Sequence, residues 1–111
     1  MKAAMEYDLF QTILTSPNYT LPANGVSKER IIRNTNALTS NWTYTQYLYG
    51  PGTGGKTGTT DEAGNCLVET ARKGDMYLIS VILGAEEVKQ ADGNTDARQF
   101  SGDHQAAELG L

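Results

Sequence analysis

Residues 54–60 read G-G-K-T-G-T-T and bring together side chains that could hold an anion. Lys56 supplies a positive charge, and the hydroxyl of Thr57 can donate a hydrogen bond to a carboxylate or phosphate oxygen. The neighbouring glycines carry no Cβ, so the main chain can approach a ligand closely. The segment therefore predicts an anion-binding site and leaves the identity of the anion open.

One interpretation of this segment is a phosphate-binding loop. Residues 50–57 match the nucleotide-binding pattern G-x-x-x-x-G-K-[ST], in which backbone amides surround phosphate oxygens. Such a loop follows a buried strand and begins a helix, whereas residues 44–49 are polar and aromatic and Gly58 interrupts a helix that starts at Lys56. A small nucleotide-binding protein that uses residues 50–57 is the alternative function, beside a non-catalytic fragment that binds a peptide.

The other interpretation takes residues 56–58 as the K-T-G signature of serine enzymes that recognise penicillin. Four blocks of sequence support it: N-T-N-A-L at 34–38, G-K-T-G-T-T at 55–60, A-G-N-C-L-V at 63–68 and L-I-S-V-I-L-G-A at 78–85. In order and spacing they resemble the low-molecular-mass penicillin-binding proteins that are D-alanyl-D-alanine carboxypeptidases, serine peptidase family S11.

This resemblance implies an α+β fold, a partial β-lactamase/transpeptidase-like architecture in which helices flank an antiparallel sheet. Residues 1–111 would form a single domain, the C-terminal portion of a penicillin-binding catalytic domain. The intact parent would act in the bacterial cell envelope, outside the cytoplasm. Its partners would be peptidoglycan stem peptides ending in D-Ala-D-Ala and β-lactam antibiotics, and the reaction would use no cofactor and no metal.

The resemblance also implies a role for each site residue. Lys56 would hold the substrate's terminal carboxylate and assist proton transfer, and Thr57 would donate its hydroxyl to that carboxylate. Gly58 would leave the strand bare, so that a peptide can lie alongside it. The backbone N–H of Thr59 would form half of the oxyanion hole, and Arg98 would match a basic residue that supports the cleft.

The nucleophile that these enzymes use is not found in the sequence. None of the five serines is followed three positions later by a lysine, as the S-x-x-K signature requires. We expect that signature to lie upstream in the parent, so the chain by itself would be inactive. The exposed sheet edge that a missing half leaves predicts some self-association.

Composition excludes several other classes of protein. The net charge is −4 and lysines and arginines do not cluster, which argues against nucleic acid as a partner. A single cysteine cannot form an internal disulfide or a multi-cysteine metal site. No apolar run approaches the ~20 residues that span a bilayer.

The pattern of apolar and turn residues predicts the elements that would position the site. One face of a helix over about residues 1–14 is indicated by Met5, Leu9 and Ile13 and, one step round, by Phe10 and Leu14. Residues 67–71 and 76–83 predict two strands joined by a tight hairpin at 73–75, and the second strand, being the most apolar, is expected at the centre of the sheet. The glycine-rich residues 50–55 predict an irregular, mobile loop.

Two further groups of residues are expected to be structural. Tyr44, Tyr47 and Tyr49 alternate as they would on a half-exposed strand, which favours packing over a sugar-binding groove. Asn34 and Asn36 are typical of turns in which the side chain bonds the local backbone.

Overall fold

A computed structural model describes residues 1–110, except the side chains of residues 104 and 107–110. It confirms the predicted α+β class. The elements, in chain order, are a 3-10 turn (Ala4–Glu6), α1 (Asp8–Thr15), β1 (Asn18–Leu21), β2 (Arg30–Arg33), β3 (Gly52–Thr60), β4 (Gly64–Lys73), β5 (Met76–Ala85), β6 (Glu87–Lys89), β7 (Thr95–Ala97) and α2 (Arg98–Gly110). Neither α-helix in this part of the chain is long and apolar enough to cross a membrane.

The main sheet is antiparallel and has the strand order β3-β4-β5. The predicted hairpin is confirmed, since Lys73 pairs with Met76 around Gly74, whose φ of 59° a glycine adopts without strain. The expectation that the second strand is central is wrong, because β4 holds that place. β5 is very apolar because both of its faces carry apolar side chains. One of these faces is exposed, and on it Leu83 is 73% exposed.

The glycine-rich segment is a strand from Gly52 onward, so the predicted loop is wrong there. Gly54 pairs with Thr70 and has a φ of 109°, and a Cβ built on it would lie 2.8 Å from the Cβ of Leu14. A Cβ on Gly55 would collide with the carboxylate of Glu69. These glycines allow tight packing on both faces of β3, and they do not mark a flexible loop.

The N-terminal helix forms in two pieces. Tyr7 takes an extended conformation, with φ −101° and ψ 117°, and separates the 3-10 turn from α1. This break shifts the helical phase, so Met5 and Leu14 are buried whereas Leu9 and Ile13 are exposed. The predicted stripe is therefore correct for Met5 and Leu14, which are buried, and wrong for Leu9 and Ile13, while Phe10 is half-buried. α1 packs against β3.

A compact apolar cluster joins α2 to the sheet. It contains Ala37, Leu38, Tyr47, Leu67, Ala97 and Phe100. The ring centroids of Tyr47 and Phe100 lie 5.8 Å apart, and the Tyr47 hydroxyl accepts a hydrogen bond from the backbone N–H of Ala97 at 2.9 Å. Packing of the tyrosines is confirmed, but Tyr47 lies in a turn and not on the expected strand.

Two small hairpins complete the fold. β1 pairs with β2, with Asn18 opposite Arg33, and β6 pairs with β7. β2 contains the β-branched residues Ile31 and Ile32, which are typical of a strand, whereas β1 follows Pro17 in a segment whose residues are typical of a turn.

Candidate functional site

Four of the predicted site residues lie together on β3. They are Lys56, Thr57, Gly58 and Thr59, and they follow one another along a strand that has β4 as its one neighbour in the described part of the chain. The opposite edge of β3 therefore has backbone groups free to pair with an extended ligand. Lys56 and Thr59 are exposed, and Thr57 is half-buried.

This geometry contradicts the phosphate-loop interpretation. Residues 50–57 do not wrap around the start of a helix; from Gly52 they run as β3, which continues to Thr60 before a turn leads into β4. A phosphate loop needs amides that converge on the N-terminus of a helix. The alternative function as a nucleotide-binding protein that uses this segment is therefore wrong.

Gly58 differs from the other glycines of β3. A Cβ built on it would have no atom within 4 Å, whereas the glycines at 52, 54 and 55 are each in contact with neighbouring atoms. Since packing within residues 1–110 does not require a glycine here, the open space beside it is available for a ligand backbone.

Lys56 is a cation without an acidic partner in the described part of the chain. Its ammonium donates to the backbone carbonyl of Thr57, and the ion pair found among residues 1–110 joins Arg98 to Asp96 instead. An exposed lysine that no carboxylate neutralises provides positive potential at the edge of β3.

Thr57 has a partner that the sequence reasoning missed. Its hydroxyl oxygen lies 2.6 Å from that of Thr35, and either hydroxyl can be the donor. The block at 34–38 contributed to the resemblance, but only its asparagines were given a role. A threonine hydroxyl that reaches a strand more than twenty residues away leaves no periodic signal in the sequence.

The two asparagines beside Thr35 fix this segment to other elements. The side-chain amide of Asn34 donates to the carbonyls of Leu14 at 3.1 Å and Ser16 at 3.0 Å, at the end of α1. The side-chain amide of Asn36 donates to Glu69 on β4 at 2.6 Å. The predicted local bonds are also present, since Asn34 Oδ1 accepts from the N–H of Asn36 at 2.9 Å. The segment 34–36 thus joins α1, β3 and β4.

Glu69 is a buried acid directly behind the site strand. It is 2% exposed, accepts from Asn36, and accepts from the backbone N–H of Gly54 at 3.2 Å. The pKa of Glu69 is raised to about 7, mainly because burial disfavours the charged carboxylate. The hydrogen bond from Asn36 lowers the pKa, the nearby Asp103 raises it, and the hydrogen bond from Gly54 lowers it, so that about 7 is the net result. The acid holds β3, β4 and the segment 34–36 together.

The contacts of Thr59 and those of Arg98 lie in different parts of the fold. The hydroxyl of Thr59 donates to Asn65 Oδ1 at 2.9 Å, across the β3–β4 pair. Arg98 begins α2, and its guanidinium lies 3.9 Å from Asp96 while its backbone N–H donates to Glu86. These contacts of Arg98 do not reach β3, so the structure does not join it to the other four residues.

A cleft of about 580 Å³ opens beside Lys56 and Thr57. Its apolar wall includes Ile13 and Ile32, and Arg33 adds a second cation, whose guanidinium carbon lies 3.3 Å from the ring centroid of Trp42. None of the described residues that line the cleft carries a carboxylate. Its volume and charge suit a short peptide with a negative end.

Comparisons with known proteins agree with this geometry. A protein-family model described as D-alanyl-D-alanine carboxypeptidase, Peptidase_S11, matches residues 1–87. A D-alanyl-D-alanine carboxypeptidase from Mycobacterium tuberculosis H37Rv is 26% identical with a TM-score of 0.63, and an evolved penicillin-binding protein homologue from Mycobacterium tuberculosis is 26% identical with a TM-score of 0.65. Each comparison covers 96% of this chain and 37% of the other chain. No curated protein matches significantly.

Proposed function

This chain belongs to the D-alanyl-D-alanine carboxypeptidase family, peptidase family S11, and we propose on that basis that β3 forms one wall of the cleft in which the intact parent hydrolyses peptidoglycan stem peptides. The observation that supports this most strongly is the placement of Lys56, Thr57, Gly58 and Thr59 on a strand with one open edge. The substrate ends in D-Ala-D-Ala, and the parent acts in the cell envelope.

The reaction is acyl transfer to a serine outside these 111 residues. The serine oxygen attacks the carbonyl carbon of the last peptide bond, and the proton that the serine loses goes to the leaving amine. The carbon–nitrogen bond breaks, D-alanine leaves and an acyl-enzyme remains. Water then attacks the ester carbonyl and releases the shortened peptide. A β-lactam enters the same acylation step through its strained amide.

Lys56 and Thr57 bind the terminal carboxylate in this proposal. The ammonium of Lys56 attracts the anion, and the hydroxyl of Thr57 donates a charge-assisted hydrogen bond to it. The cleft favours the anion further, because Arg33 also lines it and no described acidic residue does. A carboxylate held here places the scissile carbonyl farther along β3, toward Thr59.

Gly58 and Thr59 bind and polarise the peptide backbone. An extended peptide adds to the open edge of β3 as a further strand, and the absent side chain of Gly58 lets the two backbones approach. The N–H of Thr59 donates to the carbonyl oxygen as negative charge develops there; a single oxyanion-hole donor of this kind contributes about 10²–10³ in rate. Arg98 is given no contact with the substrate in this proposal, because its described partners are Asp96 and Glu86 and not β3. Residues 1–111 form the C-terminal portion of the catalytic domain.

Labelling with a fluorescent penicillin tests the function. We expect no covalent label on the 111-residue chain and clear labelling of a protein that also carries the upstream reading frame with its S-x-x-K signature. In that longer protein, Lys56→Met should slow acylation by at least about 100-fold, because it removes the charge that holds the carboxylate. Lys73→Met, at the exposed end of β4, is the matched control and should acylate normally.

Two results would contradict the proposal. Labelling of the 111-residue chain alone would show that a nucleophile lies within it. Equal acylation rates for Lys56→Met and Lys73→Met would show that the K-T-G lysine takes no part in acylation.

A further inference from the structure

We propose that Thr35 is a positioning residue that aims the hydroxyl of Thr57 at the substrate's terminal carboxylate. The inference rests on the proposed function, in which Thr57 binds that carboxylate. It adds a residue that the K-T-G signature does not contain, at the position between the two asparagines of the segment 34–36.

The contact between the two hydroxyls carries the proposal. Their oxygens lie 2.6 Å apart, so one of them donates to the other. A threonine hydroxyl has one proton and two acceptor lone pairs. When Thr57 donates its proton to a carboxylate, its oxygen can still accept a hydrogen bond from Thr35. Thr35 then donates to Thr57, and Thr57 donates to the carboxylate. Without Thr35, the Thr57 proton is distributed over the staggered orientations of the hydroxyl.

The position of Thr35 is fixed by its neighbours rather than by its own burial. Thr35 is exposed, whereas Asn34 is tied to the end of α1 and the buried Asn36 is tied to Glu69. The backbone on both sides of Thr35 is therefore held before substrate arrives. A β-branched side chain on such a backbone has few rotamers, so its hydroxyl is pre-organised toward Thr57.

Within the segment 34–36, the side chains of the two asparagines bond to parts of the fold, whereas that of Thr35 bonds to a proposed site residue. The bonds of Asn34 and Asn36 reach main-chain carbonyls and a buried acid, which are parts of the fold. The side-chain bond of Thr35 reaches the hydroxyl of Thr57, which is a proposed substrate contact. Loss of the Thr35 hydroxyl should therefore change substrate binding and leave thermal stability almost unchanged.

Variants of the longer, nucleophile-carrying protein test this inference. Thr35→Val keeps the shape and removes the hydroxyl, and Thr35→Ser restores it. We expect Thr35→Val to lower kcat/KM for a D-Ala-D-Ala peptide about tenfold, mainly through KM, because the hydrogen bond between the two hydroxyls is lost and the Thr57 proton is no longer directed at the carboxylate. Thr35→Ser should recover most of the loss. Thr12→Val, whose hydroxyl bonds only within α1, is the matched control and should behave as wild type.

Two further measurements separate positioning from a structural effect. The slowing of acylation should be clear with penicillin and absent with penicillin methyl ester, because the ester has no carboxylate. In the background of Thr57→Val, adding Thr35→Val should cause no further loss.

The outcomes distinguish this inference from the proposed function. If wild type is not acylated by penicillin, both fail. If wild type is acylated and Thr57→Val slows it, but Thr35→Val matches the Thr12→Val control, the positioning role alone is overturned. Independent, additive effects of the two threonines, or equal slowing with the ester, would also overturn it.

Discussion

At the scale of single residues, Glu69 links the stability of the fold to pH. Its folded pKa of about 7 lies above the ordinary 4.5, so the folded chain binds more protons than the unfolded chain between these two values. The free energy of unfolding therefore falls as pH rises from 4.5 to 7 and is constant above. The shift corresponds to about 3 kcal/mol.

Glu69→Gln tests this dependence. The glutamine cannot ionise, so the fall of about 3 kcal/mol between pH 4.5 and pH 8 should disappear, whatever constant cost the altered hydrogen bonds to Asn36 and Gly54 add. Urea unfolding at both pH values measures the change within each protein. The exposed Glu62→Gln removes the same charge and is the control. If the free energy of unfolding changed equally with pH in wild type and in Glu69→Gln, the buried acid would not titrate in this range.

At the scale of the element, β3 contains glycines of two kinds. Gly55→Ala would force a Cβ against Glu69 and the carbonyl of Val68, and we expect it to lose about 2 kcal/mol of stability through overpacking. Gly58→Ala meets open space, so its thermal stability should equal or slightly exceed that of wild type.

Gly58→Ala, the variant with unchanged stability, should be the one with impaired acylation. In the longer protein, Gly58→Ala should slow acylation by penicillin, because its methyl group occupies the space that the ligand backbone needs. Thermal unfolding and the acylation rate, measured on the same samples, check the pair. Normal acylation of Gly58→Ala would show that the bare strand at this position serves no ligand.

An element can be predicted from the sequence when the residues that determine it are its own, and not when they are distant in the chain. The β4–β5 hairpin is encoded locally, by strand-forming runs on either side of Gly74, and it was predicted correctly. The course of β3 depends on Leu14 and Glu69, which are distant in sequence and pack against Gly54 and Gly55. Local composition at those glycines indicates a loop, since it contains no information about the side chains that press on them.

The same reasoning applies to the site. Lys56, Thr57, Gly58 and Thr59 can be proposed from the sequence because a contiguous signature contains them. Thr35 cannot be proposed from the sequence, because the argument for it depends on its distance to Thr57, which only the folded chain defines. Spacing in the sequence therefore identifies the groups that would touch substrate more readily than the groups that orient them.

At the scale of the whole molecule, the sheet is open at β5. Along β5 the apolar side chains of Val81 and Leu83 are exposed, and within residues 1–110 its outer edge pairs with no other strand. An exposed apolar edge of this kind is a template for pairing with another strand. The chain covers 37% of the length of its structural relatives, and in the proposed parent further residues would occupy this edge.

The 111-residue chain should therefore associate with itself through β5. We expect sedimentation velocity to show a reversible dimer whose fraction rises with concentration, and Val81→Lys to weaken it, because a charge on an edge strand disfavours pairing. Leu9→Lys is the control, since Leu9 is equally apolar and 72% exposed but lies on α1. A monomer at high concentration would show that the open edge of β5 does not drive association. Equal weakening by both lysines would show that general surface hydrophobicity, and not the strand edge, governs it. The longer protein should be monomeric under the same conditions, because its own strand would already pair with β5.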